Sequence, residues 1–207
     1  MQTETWLLYL FAIVLIGISP GPIAMLSMSH GIHFGKKRSI ATGLGSVSAA
    51  LVLMAASAAG LGAIISASEY GFSLLKWCGA AYLVFLGIKL VLTKSQGQKL
   101  EVTKTEGKGT AKQLYKQAFL VGISNPKDLL FFAALFPQFI DLTAPQMPQL
   151  TILALTWALV DFSFVMLYAS MANVLAPSLK ANNKLHWFDR TSGGVFLTLA
   201  AILVSRD

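Results

Sequence analysis

The sequence predicts an all-α membrane protein: six transmembrane helices forming a 3+3 inverted repeat, with broken first and fourth helices. Three observations predict it. Of the 207 residues 55% are hydrophobic and 12% charged, and the mean hydropathy of +0.66 is more than a soluble domain of this size can bury. Six apolar stretches are long enough to cross about 30 Å of hydrocarbon. Two proline-broken tetrapeptides, Ser19-Pro20-Gly21-Pro22 and Ser124-Asn125-Pro126-Lys127, interrupt the first and fourth stretches at matching places in the two halves.

The first stretch, 6–28, has only Glu4 charged ahead of it and continues into its proline motif, so it reads as a retained helix rather than a cleaved leader. The second, 40–65, carries Ala41, Gly45 and Ala49, then Ala56 and Gly60, at a small-xxx-small spacing that suits close helix contact. The third, 72–92, holds the single cysteine, Cys78, which excludes an internal disulfide, a thiolate cluster and a dithiol carrier. The fourth, fifth and sixth run over 114–140, 149–173 and 190–204. Trp6, Tyr9, Trp77, Tyr115, Trp157 and Trp187 read as interfacial aromatics near stretch ends.

Charge sets the orientation. Thirteen of the 16 basic residues lie in or beside the first, third and fifth connections, two (Lys76 and Arg206) on the other side, and Lys127 within a stretch. The positive-inside rule then places those connections in the cytoplasm and both termini outside. The +7 net charge is therefore a topology signal, not a nucleic-acid footprint. Residues 1–92 form a first three-helix repeat, 93–112 a basic cytoplasmic linker, and 113–207 a second repeat whose orientation three helices must invert. The Lys/Gly/Thr-rich linker reads as solvated chain, with anionic lipid headgroups as its other reading.

A break at membrane depth frees backbone groups that water cannot reach, so the carbonyls of Ile16, Ile18 and Gly122 are expected to lack partners. Half-helix N-termini offer amide donors to a carboxylate, and orphan carbonyls suit an ammonium or a cation. Together Ser19, Pro20, Gly21, Pro22, Asn125, Pro126 and Lys127 suggest a receptor for a zwitterion, against the plainer reading of kinks that serve packing.

Two ionisable side chains stand out. Asp161 lies near the middle of the fifth stretch, where a charged aspartate costs about 2.5–3.5 kcal/mol on the insertion scale. It reads as a structural acid or as a proton carrier and ammonium ligand. Lys127 is thirteen residues from Leu114 and from Ile140, too deep for its stem to snorkel. It must face a wet cavity, pair with Asp161 or Asp128, or interrupt the helix. Asp128 suits the first turn after Pro126 as a cap, with ligand binding as its other reading.

Ser27, Ser29, Ser46, Ser48 and Ser57 read as packing hydroxyls or substrate partners; His30, His33 and His186 read as surface histidines beside basic connections. The histidines lack metal-ligand spacing, and no hydrolase, zinc-protease or P-loop pattern occurs, which argues against a hydrolase, a zinc protease or an ATP-driven pump; no metal or cofactor is expected.

The chain resembles the lysine/threonine exporter family (the LysE/RhtB type), closest to its homoserine and threonine efflux branch. The resemblance rests on Ser19-Pro20-Gly21-Pro22 with Ser29-His30-Gly31, on Leu75 to Leu83 with Leu86-Gly87, and on Ser124-Asn125-Pro126-Lys127 with Phe131 to Ile140. It implies a secondary exporter of small amino acids, running on protons in the bacterial inner membrane. Many relatives carry asparagine where this chain has Ile23, and a second-helix aspartate where Ser46 follows Gly45. Asp161 is left as the best-placed acid, both for substrate and for proton coupling. Expected partners are a small amino acid, protons and lipid, with no nucleic acid. The glycine faces would permit a homo-oligomer. Export of a cation or another solute and a non-transporting assembly role are the rival readings; an intramembrane enzyme is a third, against which no nucleophile–base pair is evident among the spans.

Overall fold

The computed structural model describes residues 1–19, 21–67, 109–172 and, singly, 77, 81, 84, 85, 88, 92, 194, 197, 198, 200 and 201, with backbone alone at 61–67 and 134. All regular structure among them is helical. The third and sixth predicted spans, Pro20, most of the linker, His186 and Trp187 lie outside the described residues, or nearly so.

Helix α1 (Thr3–Ile18) is rich in leucine and isoleucine and stops where proline approaches: Ser19, the residue before Pro20, is extended at φ −75°, ψ 111°. Helix α2 (Pro22–Ala67) restarts with Pro22 at its first position, where the missing amide costs nothing. Its first backbone bond runs from Met25 N to Gly21 O. At Gly35 α2 turns sharply (φ 77°, ψ 164°), a conformation confined essentially to glycine. The elbow carries the exposed Lys36, Lys37 and Arg38, so α2 is two antiparallel arms meeting at a basic turn.

Helix α3 (Ala111–Ile123) begins with a capping box in which Thr110 and Gln113 satisfy each other's backbone amides. It ends at Ser124, and α4 (Pro126–Leu130) starts after Asn125. The chain then loosens into a π-turn, Phe131–Leu135, and a 3-10 turn, Phe136–Phe139. The π-turn leaves the Phe132 carbonyl for an outside donor, and the Ser57 hydroxyl takes it. Helix α5 (Gln146–Ser170) follows a tight loop held by buried Gln149, whose amide bonds Asp141 O at 2.8 Å and Pro145 O at 3.1 Å. In that loop the hydroxyl and amide of Thr143 hold the Asp141 carboxyl below its ordinary range.

Helices α2 and α5 are long and apolar enough to cross a membrane. One face of α5 is bare hydrocarbon, with Leu155 61% and Leu159 71% exposed, as a lipid-facing stripe requires. The inner face joins Tyr9, Ile13 and Ile16 of α1 to Phe131, Phe132, Phe136 and Phe139 in one core around Leu153 and Trp157. Ring centroids of Trp157 and Phe132 lie 4.5 Å apart. Trp157 and Tyr9 are therefore core residues, not the interfacial aromatics expected from sequence, because the α1 and π-turn aromatics close over them.

Glycines allow backbones to touch. The small-residue row of α2 lies on α3, Gly45 against the Tyr115 carbonyl and Ala49 against Gly122. Gly31 meets the Ala169 backbone of α5, and Gly17 of α1 lies beneath the Phe164 ring. These approaches bring the break after α1, the break before α4 and the middle of α5 to one place.

Candidate functional site

At that place the chain encloses a cavity of about 40 Å³. Its wall includes Ser19 and Gly21 from the first break, Asn125, Lys127 and Asp128 from the second, and Asp161, Phe164 and Tyr168 from α5. Of the residues singled out from sequence, Ser19, Gly21, Asn125, Lys127 and Asp161 are thus brought together. Pro22 and Pro126 act as first residues of their helices and do not line the cavity. Pro20 lies outside the described residues.

The end of α1 explains the arrangement. The last carbonyls of a helix have no partner within it, and no water is available at membrane depth. Here side chains from the second half supply the donors. Lys127 Nζ donates to Ile16 O and to Ser19 O, both at 2.8 Å. The Tyr168 hydroxyl lies 3.0 Å from Gly17 O and 2.8 Å from Ile18 O. At the second break Asn125 N donates to Gly122 O at 3.1 Å. The carbonyls of Ile16, Ile18 and Gly122, expected from sequence to lack partners, are all paired. The negative end of the α1 dipole also favours the lysine's positive charge.

Asn125 organises the second break. Its side-chain carbonyl accepts from Lys127 N at 3.2 Å, and its amide donates to Asp128 Oδ2 at 2.8 Å. Asp128 and Asp161 are the carboxylates within electrostatic reach of the Lys127 ammonium. A methyl group on Gly21 would lie 3.4 Å from that ammonium, so the first break sits directly against the charge of the second.

Asp161 accepts a hydrogen bond from Ser46 of α2. Its Oδ2 is buried and has no hydrogen-bond partner among the described residues. Asp161 lines the cavity, and a buried carboxylate oxygen without a partner has acceptor capacity left for a proton or a cationic donor. Ile23 and Ala24, in the first turn of α2, also line the cavity, and the amides of a helix's first turn form a local positive end suited to an anion. Among the described residues no group of three His, Cys, Asp or Glu side chains converges as for a metal ion.

Sequence reasoning missed Tyr168 and His30. Tyr168 falls seven residues after Asp161, two turns along the same face, and that spacing was its one available signal. His30 is not at the surface: it is fully buried between the two arms of α2 and α3. Its Nδ1 lies 2.7 Å from Thr42 Oγ1 and its Nε2 3.1 Å from Gln117 Oε1. A glutamine oxygen only accepts, so Nε2 carries a proton, while the Thr42 hydroxyl serves as donor or acceptor at Nδ1.

A charged, partly capped cavity between two helix breaks is the arrangement expected of a translocator, and the comparisons with known proteins point to that class. The chain belongs to the LysE type translocator family, whose model matches residues 13–207. It is 33% identical over 205 residues to the homoserine/homoserine lactone efflux protein of Salmonella typhimurium, covering 99% of this chain and 98% of that protein. The protein of the same name from Salmonella typhi matches with the same identity and coverage. An uncharacterized membrane protein of Vibrio cholerae is 31% identical over 208 residues, again 99% and 98% covered. No solved structure matches the chain. Membership in this family makes the chain a multi-pass membrane protein.

Proposed function

We propose that this chain is a secondary active exporter of small neutral amino acids of the threonine and homoserine type, exchanging them for protons across the bacterial inner membrane. One observation carries the reading: Asp161 lines a cavity built from both helix breaks, and its Oδ2 is buried without a partner among the described residues. The homoserine efflux proteins similar over the full length support the substrate class.

Substrate ammonium and proton compete for Asp161. With the cavity open to the cytoplasm, the substrate ammonium displaces the proton from Asp161, and the carboxylate takes the amides of Ile23 and Ala24. With the cavity open outward, a proton returns to Asp161 and the amino acid leaves. The α1 carbonyls are engaged by Lys127 and Tyr168, so the ammonium rests on Asp161 alone, rather than on carbonyls near Ile18 and Gly122. A cavity of about 40 Å³ has room for a few waters, so substrate entry requires the walls to part.

The walls belong to two repeats, 1–92 and 113–207, three helices each and inverted in the membrane, joined by the basic linker 93–112. Rocking of one against the other gives alternating access. The exposed lysines and arginine at the Gly35 elbow support a cytoplasmic first connection and outside termini.

Flux in proteoliposomes tests the reading. An imposed proton gradient is expected to drive labelled homoserine or threonine, and amino-acid movement to shift internal pH. Absence of amino-acid flux, or flux indifferent to the gradient, sinks it.

A further inference from the structure

We infer that Lys127 is a specificity-determining residue that bars dibasic amino acids, because its ammonium already fills the cation seat at the broken end of α1. This rests on the amino-acid exporter reading above.

The seat is built by the backbone. Ile16 O and Ser19 O converge on one point at the negative end of α1, each 2.8 Å from Lys127 Nζ. The two carbonyls between them in sequence that the structure describes, Gly17 O and Ile18 O, are engaged by Tyr168. The cation comes from the other half of the chain, 108 residues after Ser19, and Asn125 fixes the backbone that delivers it. A capping donor in this position need not be charged; a hydroxyl does the same work one residue away. The charge itself therefore has a consequence.

That consequence falls on the substrate side chain. Once the α-ammonium rests on Asp161, a second ammonium in the same small cavity meets a like charge in a medium of low dielectric. The carbonyl pair that would receive it is taken. Asp128, the other carboxylate on the wall, already accepts from the Asn125 amide and lies within electrostatic reach of the Lys127 ammonium, while Ile13, Val160 and Phe164 are apolar. A neutral side chain of the same length meets none of these costs. Homoserine and 2,4-diaminobutyrate make the minimal pair, since they differ at the end of one chain, hydroxyl against ammonium.

Lys127→Met keeps the length and apolar stem of the side chain while removing the charge and vacating the carbonyls. The diaminobutyrate side-chain ammonium then replaces Nζ on Ile16 O and Ser19 O. The experiment measures initial transport rates of homoserine and 2,4-diaminobutyrate by the full chain in proteoliposomes, wild type against Lys127→Met. Wild type is expected to favour homoserine, and the variant to lower that preference by roughly tenfold or more. A merely structural lysine would depress both rates alike, and an unchanged ratio overturns the inference. If the variant does not reach the membrane, competition against wild-type homoserine transport decides: diaminobutyrate inhibiting as well as unlabelled homoserine overturns it. Wild type moving homoserine with an unchanged ratio in Lys127→Met sinks this inference alone. Wild type moving no amino acid sinks the exporter reading and this one with it.

Discussion

The ammonium of Lys127 lies 2.8 Å from the carbonyl oxygen of Ser19, joining the second helix break to the first across 108 residues of chain. Each break supplies what the other lacks. The first ends a helix and leaves carbonyls at its negative pole; the second places a cation that no lipid would accept. Neither is stable alone at membrane depth, and together they make a polar chamber with a hydrocarbon exterior.

Tyr168 completes that capping, and its loss is expected to be felt as stability. In Tyr168→Phe the carbonyls of Gly17 and Ile18 lose the one hydroxyl proton they share. A buried group left without its partner costs about 1–3 kcal/mol. For a chain of this size that corresponds to a fall in Tm of roughly 2–4 °C per kcal/mol, readable by thermal unfolding in detergent. An unchanged Tm would mean that the hydroxyl contributes nothing to holding the α1 terminus.

Asp161 is expected to separate coupling from folding. Asp161→Asn preserves size and still accepts from Ser46, but it carries no charge and exchanges no proton. The variant should reach the membrane at normal levels and abolish proton movement coupled to homoserine, followed with a pH-sensitive dye inside vesicles. Wild-type coupling in the variant would end the role assigned to this carboxylate.

The parts of the site legible in sequence were those that break a local rule. Proline and glycine in the middle of an apolar run are conspicuous, and so are a lysine and an aspartate with no route to the interface, so Ser19 to Pro22, Asn125 to Lys127 and Asp161 could be singled out. What remained hidden was satisfied at long range. The donor to Ile18 O comes from Tyr168, 150 residues on, and a tyrosine in an apolar helix is unremarkable by itself. Trp157, eight residues into its span and the weakest of the aromatics grouped as interfacial, is placed in the core only when the phenylalanines of the π-turn are folded over it. His30 beside a run of basic residues reads as surface until α3 places Gln117 against it. Only the tertiary packing decides such cases.

The two neighbouring histidines should therefore differ in reactivity. His30 is fully buried with both ring nitrogens engaged, whereas His33, one turn on, is exposed and bonds Ser29 O through Nδ1 at 2.9 Å. Acylation by diethyl pyrocarbonate, followed by mass spectrometry of the folded protein, is expected to mark His33 well before His30. His30→Ala should in addition cost about 2–4 kcal/mol, from two lost hydrogen bonds and the cavity left behind. Equal labelling of the two rings would return His30 to the surface.

Glycine substitutions separate the scaffold from the chamber. At Gly31 an added methyl would collide with the backbone carbonyl of Ala169, and backbone within α5 cannot turn aside as a side chain can. Gly31→Ala must push α5 away from α2, an overpacking cost of about 1–3 kcal/mol that should appear as a lower Tm and a lower membrane level. At Gly21 the same methyl reaches only ordinary contact distance, 3.4 Å from Lys127 Nζ. Gly21→Ala is therefore expected to fold as wild type but to narrow the chamber beside the charge, lowering transport without lowering Tm. The pair is informative because the chemical change is identical and only the neighbour differs. Were Gly31→Ala as stable as wild type, the close approach of α2 and α5 that places Asp161 beside the two breaks would be wrong.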